Sequence, residues 1–187
     1  MPSVSNATAR HLRHAAGYLG LGRLNEAAAE LEAIEGEDRL SVEVMAVRAD
    51  LYMEAKQWDP LIAVTRELNR QRPCFGKGWI FRAYALRELN RVAEAKAVLL
   101  EAEPMHGERC EVLHYNLACY HCLLGELPEA RERLRKACRM DRKWKTPPGS
   151  DPPENPASYQ PPPQNRILAP TRRNRVATSL VCARVPR

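Results

Sequence analysis

The stretch YNLACYHCLLGELPEA, residues 115–130, places small residues, a glycine and a proline at fixed distances among leucines. Gly125 falls seven residues after Ala118, and Ala130 falls five after Gly125. The order reads as a helix, a turn at Gly125, and a second helix with Pro128 in its first turn, where the missing N–H costs nothing. The stretch also holds Cys119, His121 and Cys122, with His114 just before it. Whether this is a chemical site or a helix that tolerates cysteine is a second question.

The same rhythm recurs upstream, as in GYLGLGRLNEAAAELEAI at 17–34. Counting back from Ala118 gives Ala83, Ala49 and Ala15, at intervals of 35, 34 and 34 residues. A turn element follows each alanine by seven residues: Gly22, Lys56, Asn90 and Gly125. Five residues further on stand Ala27, Leu61, Ala95 and Ala130. Self-similarity at such a period marks a stack of supersecondary units, each too small to bury its apolar face alone. Leu, Ala, Glu and Arg dominate residues 8–145, and runs of Val, Ile, Thr and aromatics are absent, so the body is expected to be helical. Where two helices cross closely the contact needs a small residue, and the recurring alanines supply it.

The pattern resembles the tetratricopeptide repeat, an antiparallel helix pair of about 34 residues. The resemblance covers four copies, about 8–41, 42–75, 76–110 and 111–144. The fourth is the fullest match, with Tyr115, Asn116, Leu117, Ala118, Gly125, Glu129, Ala130, Leu134, Ala137 and Asp141 in the family's positions. The third adds Trp79, Ala83, Glu94, Ala95, Leu99 and Ala102, and the first keeps Ala15, Tyr18, Gly22, Ala27 and Leu31. The second is degenerate, with Leu61 and Thr65 at the usual small and large apolar places. The resemblance implies an all-α, right-handed α-solenoid of eight helices ending near residue 142, with Pro73 and Pro104 placed after helix ends.

Residues 1–7 read as a flexible start and 146–187 as a separate tail. Ten of the fifteen prolines lie in that tail, together with +4 of the chain's net +6. Such sequence buries too little apolar surface to offset ordering entropy, and a disordered tail is expected, with a short helix over 171–185 as the one exception. Nothing in the sequence directly after Asp141 supplies the solvating helix that usually closes such arrays, so the fourth repeat is a candidate self-association face. No apolar run reaches the roughly 18–20 residues that span a bilayer, and the N-terminus lacks the apolar core of an export signal. The cytoplasm is the default compartment, and reduced thiols suit the six cysteines better than disulfides.

Catalytic constellations are missing. Neither a GxSxG elbow, a GxxxxGK[ST] loop, a GxGxxG fingerprint nor an HExxH pair occurs. Cys119 and Cys122 share a helical face at i, i+3, yet zinc needs four ligands and His121 points about 100° away from Cys122. As a redox site the motif needs a helix N-terminus to lower a thiol pKa, and these cysteines come near the middle or end of their helix. The expectation is no cofactor and no metal, with a small metal-binding or thiol-redox protein built on Cys119 and Cys122 as the alternative. His11 and His14 lack an acidic partner at helical spacing and read as a partly exposed pair. Acids and bases alternate through the body, as in PEARERLRKACRMDRK, so nucleic acid is expected to be met only weakly, through Arg172, Arg173 and Arg175.

The resemblance implies a non-enzyme that binds a protein or peptide segment in the concave groove lined by the first helix of each pair. Carried over position by position, that groove is Leu12, Ala16 and Leu19, then Ala46, Asp50 and Met53, then Ile80, Tyr84 and Arg87, then Tyr115, Cys119 and Cys122. Members that clamp a terminal carboxylate use paired Lys and Asn; here Leu12, Ala16, Val47 and Phe81 occupy those places, so that clamp is absent. Bacterial secretion chaperones with three such repeats are a further comparison, at repeat level only.

Overall fold

The computed structural model describes residues 4–141, which form eight α-helices and one 3-10 helix, with no strand among the described residues. The tail over 146–187, its 171–185 segment and Arg172, Arg173 and Arg175 lie outside them. In order the elements are α1 (Asn6–Gly20), α2 (Leu24–Glu32), η1 (Gly36–Leu40), α3 (Val42–Glu54), α4 (Trp58–Gln71), α5 (Gly76–Glu88), α6 (Val92–His106), α7 (Glu111–Leu123) and α8 (Leu127–Met140). They fall into two compact units, one up to Arg91 and the other from Val92. The division passes through the third repeat, between its two helices.

Hydrogen-bonding groups in the sequence set the helix starts. Ser5 caps α1 by accepting from the Thr8 N–H at 3.2 Å, and Ser41 caps α3 by accepting from the Val44 N–H at 3.3 Å. With Ser5 as cap, α1 opens at Asn6, so residues 6 and 7 are helical and not part of a flexible start. Pro104 likewise lies inside α6 and not beyond it. Its own N–H is lost, but the Gly107 N–H donates to the Glu103 carbonyl at 2.7 Å and carries the helical bonding past it.

The turns repeat as a single motif. Gly22, Lys56, Asn90 and Gly125 all have positive φ, of 72°, 56°, 61° and 81°. At each, the next residue's N–H donates to a carbonyl five residues back: Arg23 to Tyr18, Gln57 to Tyr52, Arg91 to Leu86 and Glu126 to His121, at 2.8–2.9 Å. The turn residue itself donates three residues back, to Leu19, Met53, Arg87 and Cys122. These are Schellman motifs, which satisfy the carbonyls left over at a helix end and reverse the chain.

In the first unit α3 is central, touching α1, α2, η1, α4 and α5. The periodic small residues of this unit are buried as their spacing requires: Ala15, Ala27 and Ala83 are fully covered and Ala49 nearly so. Ala15, Ala27, Leu31, Ile34, Val44 and Leu51 make one cluster, and Val42, Met45 and Leu68 another. Thr65, polar where the repeat usually carries a large apolar side chain, is tolerated because its hydroxyl donates to the Leu61 carbonyl one turn back. Trp79 donates from Nε1 to the Pro73 carbonyl at 2.8 Å, fixing the loop into α5. η1 is fastened differently: the Asp38 carboxylate accepts from the Ser5 N–H at 3.0 Å and the Thr8 hydroxyl at 2.7 Å, which hold it below its ordinary pKa, Thr8 foremost.

In the second unit α7 packs against both α6 and α8. Ala95, Ala102, Ala130 and Ala137 are fully buried and Ala118 nearly so. Pro128 sits in the first turn of α8.

Candidate functional site

The first-helix positions of the first unit divide into a packed set and an open set. Leu12 and Leu19 are half-buried and lean on the Ala15 cluster, while Ala16 between them is exposed. Ala46 and Asp50 on α3 are half-exposed, and Met53, Ile80 and Tyr84 are buried. Of this unit's nine expected positions, Ala16 is exposed, Met53, Ile80 and Tyr84 are buried, and the other five lie between.

What the helices do bring together is charge and aromatic surface. Asp50 pairs with Lys77 of α5, and the Lys77 ammonium lies 5.0 Å from the centroid of the Phe81 ring. Further along α5, the Arg87 guanidinium sits 4.8 Å from the Tyr84 centroid, and the Tyr84 ring meets Trp58 of α4 at 5.9 Å, tilted by 58°. Glu88 closes on Arg87 at 2.6 Å. Each cation is thus held by one carboxylate and one ring face, an arrangement that pre-orders long side chains. Asp50 is not a free acceptor for a partner's base, since Lys77 already faces it.

Lys77, Trp58 and Glu88 were not singled out in the sequence, and Phe81 entered only at a place of the absent carboxylate clamp. The repeat register contained part of the signal, because Lys77 and Phe81 lie on the same helix as Ile80 and Tyr84. Nothing in the spacing announced that a residue 27 positions after Asp50 would pair with it.

Among the second unit's expected residues, Tyr115 and Cys119 are buried and Cys122 is half-buried. The polar groups of this unit converge elsewhere. Glu126 accepts from Lys96 at 2.6 and 2.7 Å and meets His121 Nδ1, and these contacts, Lys96 first, hold its carboxyl below the usual range. No group of three or more His, Cys, Asp and Glu side chains that could hold a metal occurs among the described residues. His11 and His14, which lack an acidic partner along their own helix, have one across the helix pair. It is Glu30 on α2, 2.7 and 3.4 Å away.

This succession of helix pairs has counterparts among solved structures. The chain is similar to TTC0263, a thermophilic TPR protein of Thermus thermophilus, at 22% identity and a TM-score of 0.60 over 72% of this chain and 75% of that one. The described residues have the tetratricopeptide-repeat fold. The chain is similar, too, to MamA from Desulfovibrio magneticus RS-1, at 16% identity and a TM-score of 0.67 over 76% and 81% of the two chains. It also resembles PilF of Pseudomonas aeruginosa, at 22% identity and a TM-score of 0.62 over 73% of this chain and 62% of that one. No family model matches the sequence, and no curated protein matches it. No helix among the described residues is long and apolar enough to cross a membrane.

Proposed function

We propose that this tetratricopeptide-repeat chain is a non-catalytic interaction module of the cytoplasm that takes a peptide segment of a partner protein on the first-helix face of its first unit. The observation that supports the reading is the pair of pre-ordered clusters, Asp50–Lys77–Phe81 and Trp58–Tyr84–Arg87–Glu88, gathered around α5 by α3 and α4. Aromatic and arginine side chains held rigidly before binding lose little entropy on contact, and such residues dominate interface energies. The apolar stretch Leu12, Ala16, Leu19 offers a second, uncharged contact on α1.

The test is capture of partners by the full chain, followed by titration of the captured protein against Arg87→Ala and Lys77→Ala variants that keep the parent's helical circular dichroism. Each substitution is expected to weaken binding by about 1–3 kcal/mol, roughly fivefold to 150-fold. Folded variants that bind as tightly as the parent would place the interaction off this face.

A further inference from the structure

His114 is fully buried in the second unit, and both of its ring nitrogens are committed. Nε2 carries the proton and donates to the Gly107 carbonyl, 2.7 Å away in the turn between α6 and α7. Nδ1 presents its lone pair to the Arg133 guanidinium of α8, with Nη1 at 3.4 Å. Arg133 in turn forks onto the Glu103 carboxylate of α6, Nη2 reaching Oε2 at 2.9 Å. Gly107 closes the circle by donating to the Glu103 carbonyl at 2.7 Å. The turn has no slack, for a Cβ on Gly107 would lie 2.8 Å from the Glu103 carbonyl oxygen and 2.9 Å from its Cγ. One neutral imidazole therefore ties the end of α6, the turn, α7 and α8 together, and only in the Nε2–H tautomer.

Adding a proton at Nδ1 removes the acceptor that Arg133 faces and sets a second cation against it. Lys136, also on α8, adds to the repulsion, although Glu108 holds its ammonium at 3.0 Å. The Glu103 carboxylate opposes it, and it is already engaged by Arg133. We propose that His114 is an acid-sensitive latch, whose protonation releases the turn around Gly107 and loosens α6, α7 and α8 from one another.

The direction of the shift agrees with that geometry. Burial, above all, pushes His114 below its ordinary value of 6.5, against the pull of the Gly107 carbonyl. A histidine kept neutral in this way contributes stability fully above its ordinary pKa, and the contribution is lost as pH falls through the lowered folded value. His121 on α7 lies instead beside Glu126, and in the first unit His11 and His14 lie beside Glu30. Acid is thus expected to open the second unit at its Gly107 end.

Hydrogen exchange of the full chain at about pH 7.5 and about pH 5, corrected for intrinsic rates, reads the latch directly. Amides over 107–118 should lose protection by about tenfold or more at the lower pH, and those of α3 and α4 by less than about threefold. In His114→Gln, whose side chain cannot titrate, the extra loss over 107–118 should disappear. An NMR titration of the native His114 ring needs no variant and should give a midpoint below about 6.5. The latch is overturned if protection over 107–118 is the same at both pH values, if the Gln variant loses as much as the parent, or if the ring titrates at or above its ordinary value.

Discussion

Gly78 stands where any other side chain would collide. A Cβ there would lie 2.3 Å from Asn69 Oδ1, and Asn69 is itself buried between α4 and α5 with neither amide atom hydrogen-bonded to protein. The pair is an odd joint, because a buried amide without partners costs free energy and the glycine beside it adds no packing. Gly78→Ala is therefore expected to destabilise by about 1–3 kcal/mol, since Asn69 must leave its rotamer to admit the methyl group. The cost should fall below about 1 kcal/mol in an Asn69→Ala background, and urea unfolding of the two single variants and the double variant measures the coupling. Neither residue was visible as important in the sequence, where Asn69 and Gly78 sit at places the repeat does not constrain. By contrast Ala15, Ala49, Ala83 and Ala118 were, because a crossing point admits only a small side chain and so writes itself into the period.

At the level of the elements, the four helix-ending turns have one geometry and three residue types. Glycine adopts a positive φ freely, whereas Lys56 and Asn90 bear steric strain between Cβ and the following carbonyl, with asparagine the better tolerated of the two. Lys56→Gly should raise stability by about 1 kcal/mol and Asn90→Gly by somewhat less, visible as a higher midpoint in thermal unfolding. A fall in either midpoint would mean that the side chain makes contacts which outweigh the strain. The turns could be located from sequence even with lysine and asparagine in them, since spacing from the alanines carried the information. Helix ends were harder: α1 starts at Asn6, after its Ser5 cap and two residues ahead of the repeat's nominal boundary, and Pro104 is absorbed within the last turn of α6. The groove was the least readable feature. Position in a repeat fixes which helix face a residue occupies, but whether Tyr84 stands open or lies under Arg87 and against Trp58 depends on side chains from two helices.

For the whole molecule, charge is unevenly divided. Residues 142–187 hold nine Lys and Arg against one Asp and one Glu, a net of +7, and the residues before them net −1. The high isoelectric point of 9.1 is accordingly no property of the helices, whose faces mix signs, and the expected weak contact of Arg172, Arg173 and Arg175 with nucleic acid concerns only that terminal segment.

η1 has a consequence for how the chain would respond to cutting. Glu35, Gly36 and Glu37 are all exposed on a single turn between α2 and α3, the kind of site at which proteases nick. Cleavage after Glu37 by a glutamate-specific protease would leave Ser5 and Thr8 on one fragment and Asp38 on the other. The hydrogen bonds that now fasten η1 to the start of α1 would then join two polypeptides, supported by the apolar cluster that Ala15, Ala27 and Leu31 share with Val44 and Leu51. The nicked protein is expected to elute from gel filtration as one species and to separate into two bands only when denatured. Asp38→Ala should let the smaller fragment, α1 with α2, dissociate at lower urea than in the parent.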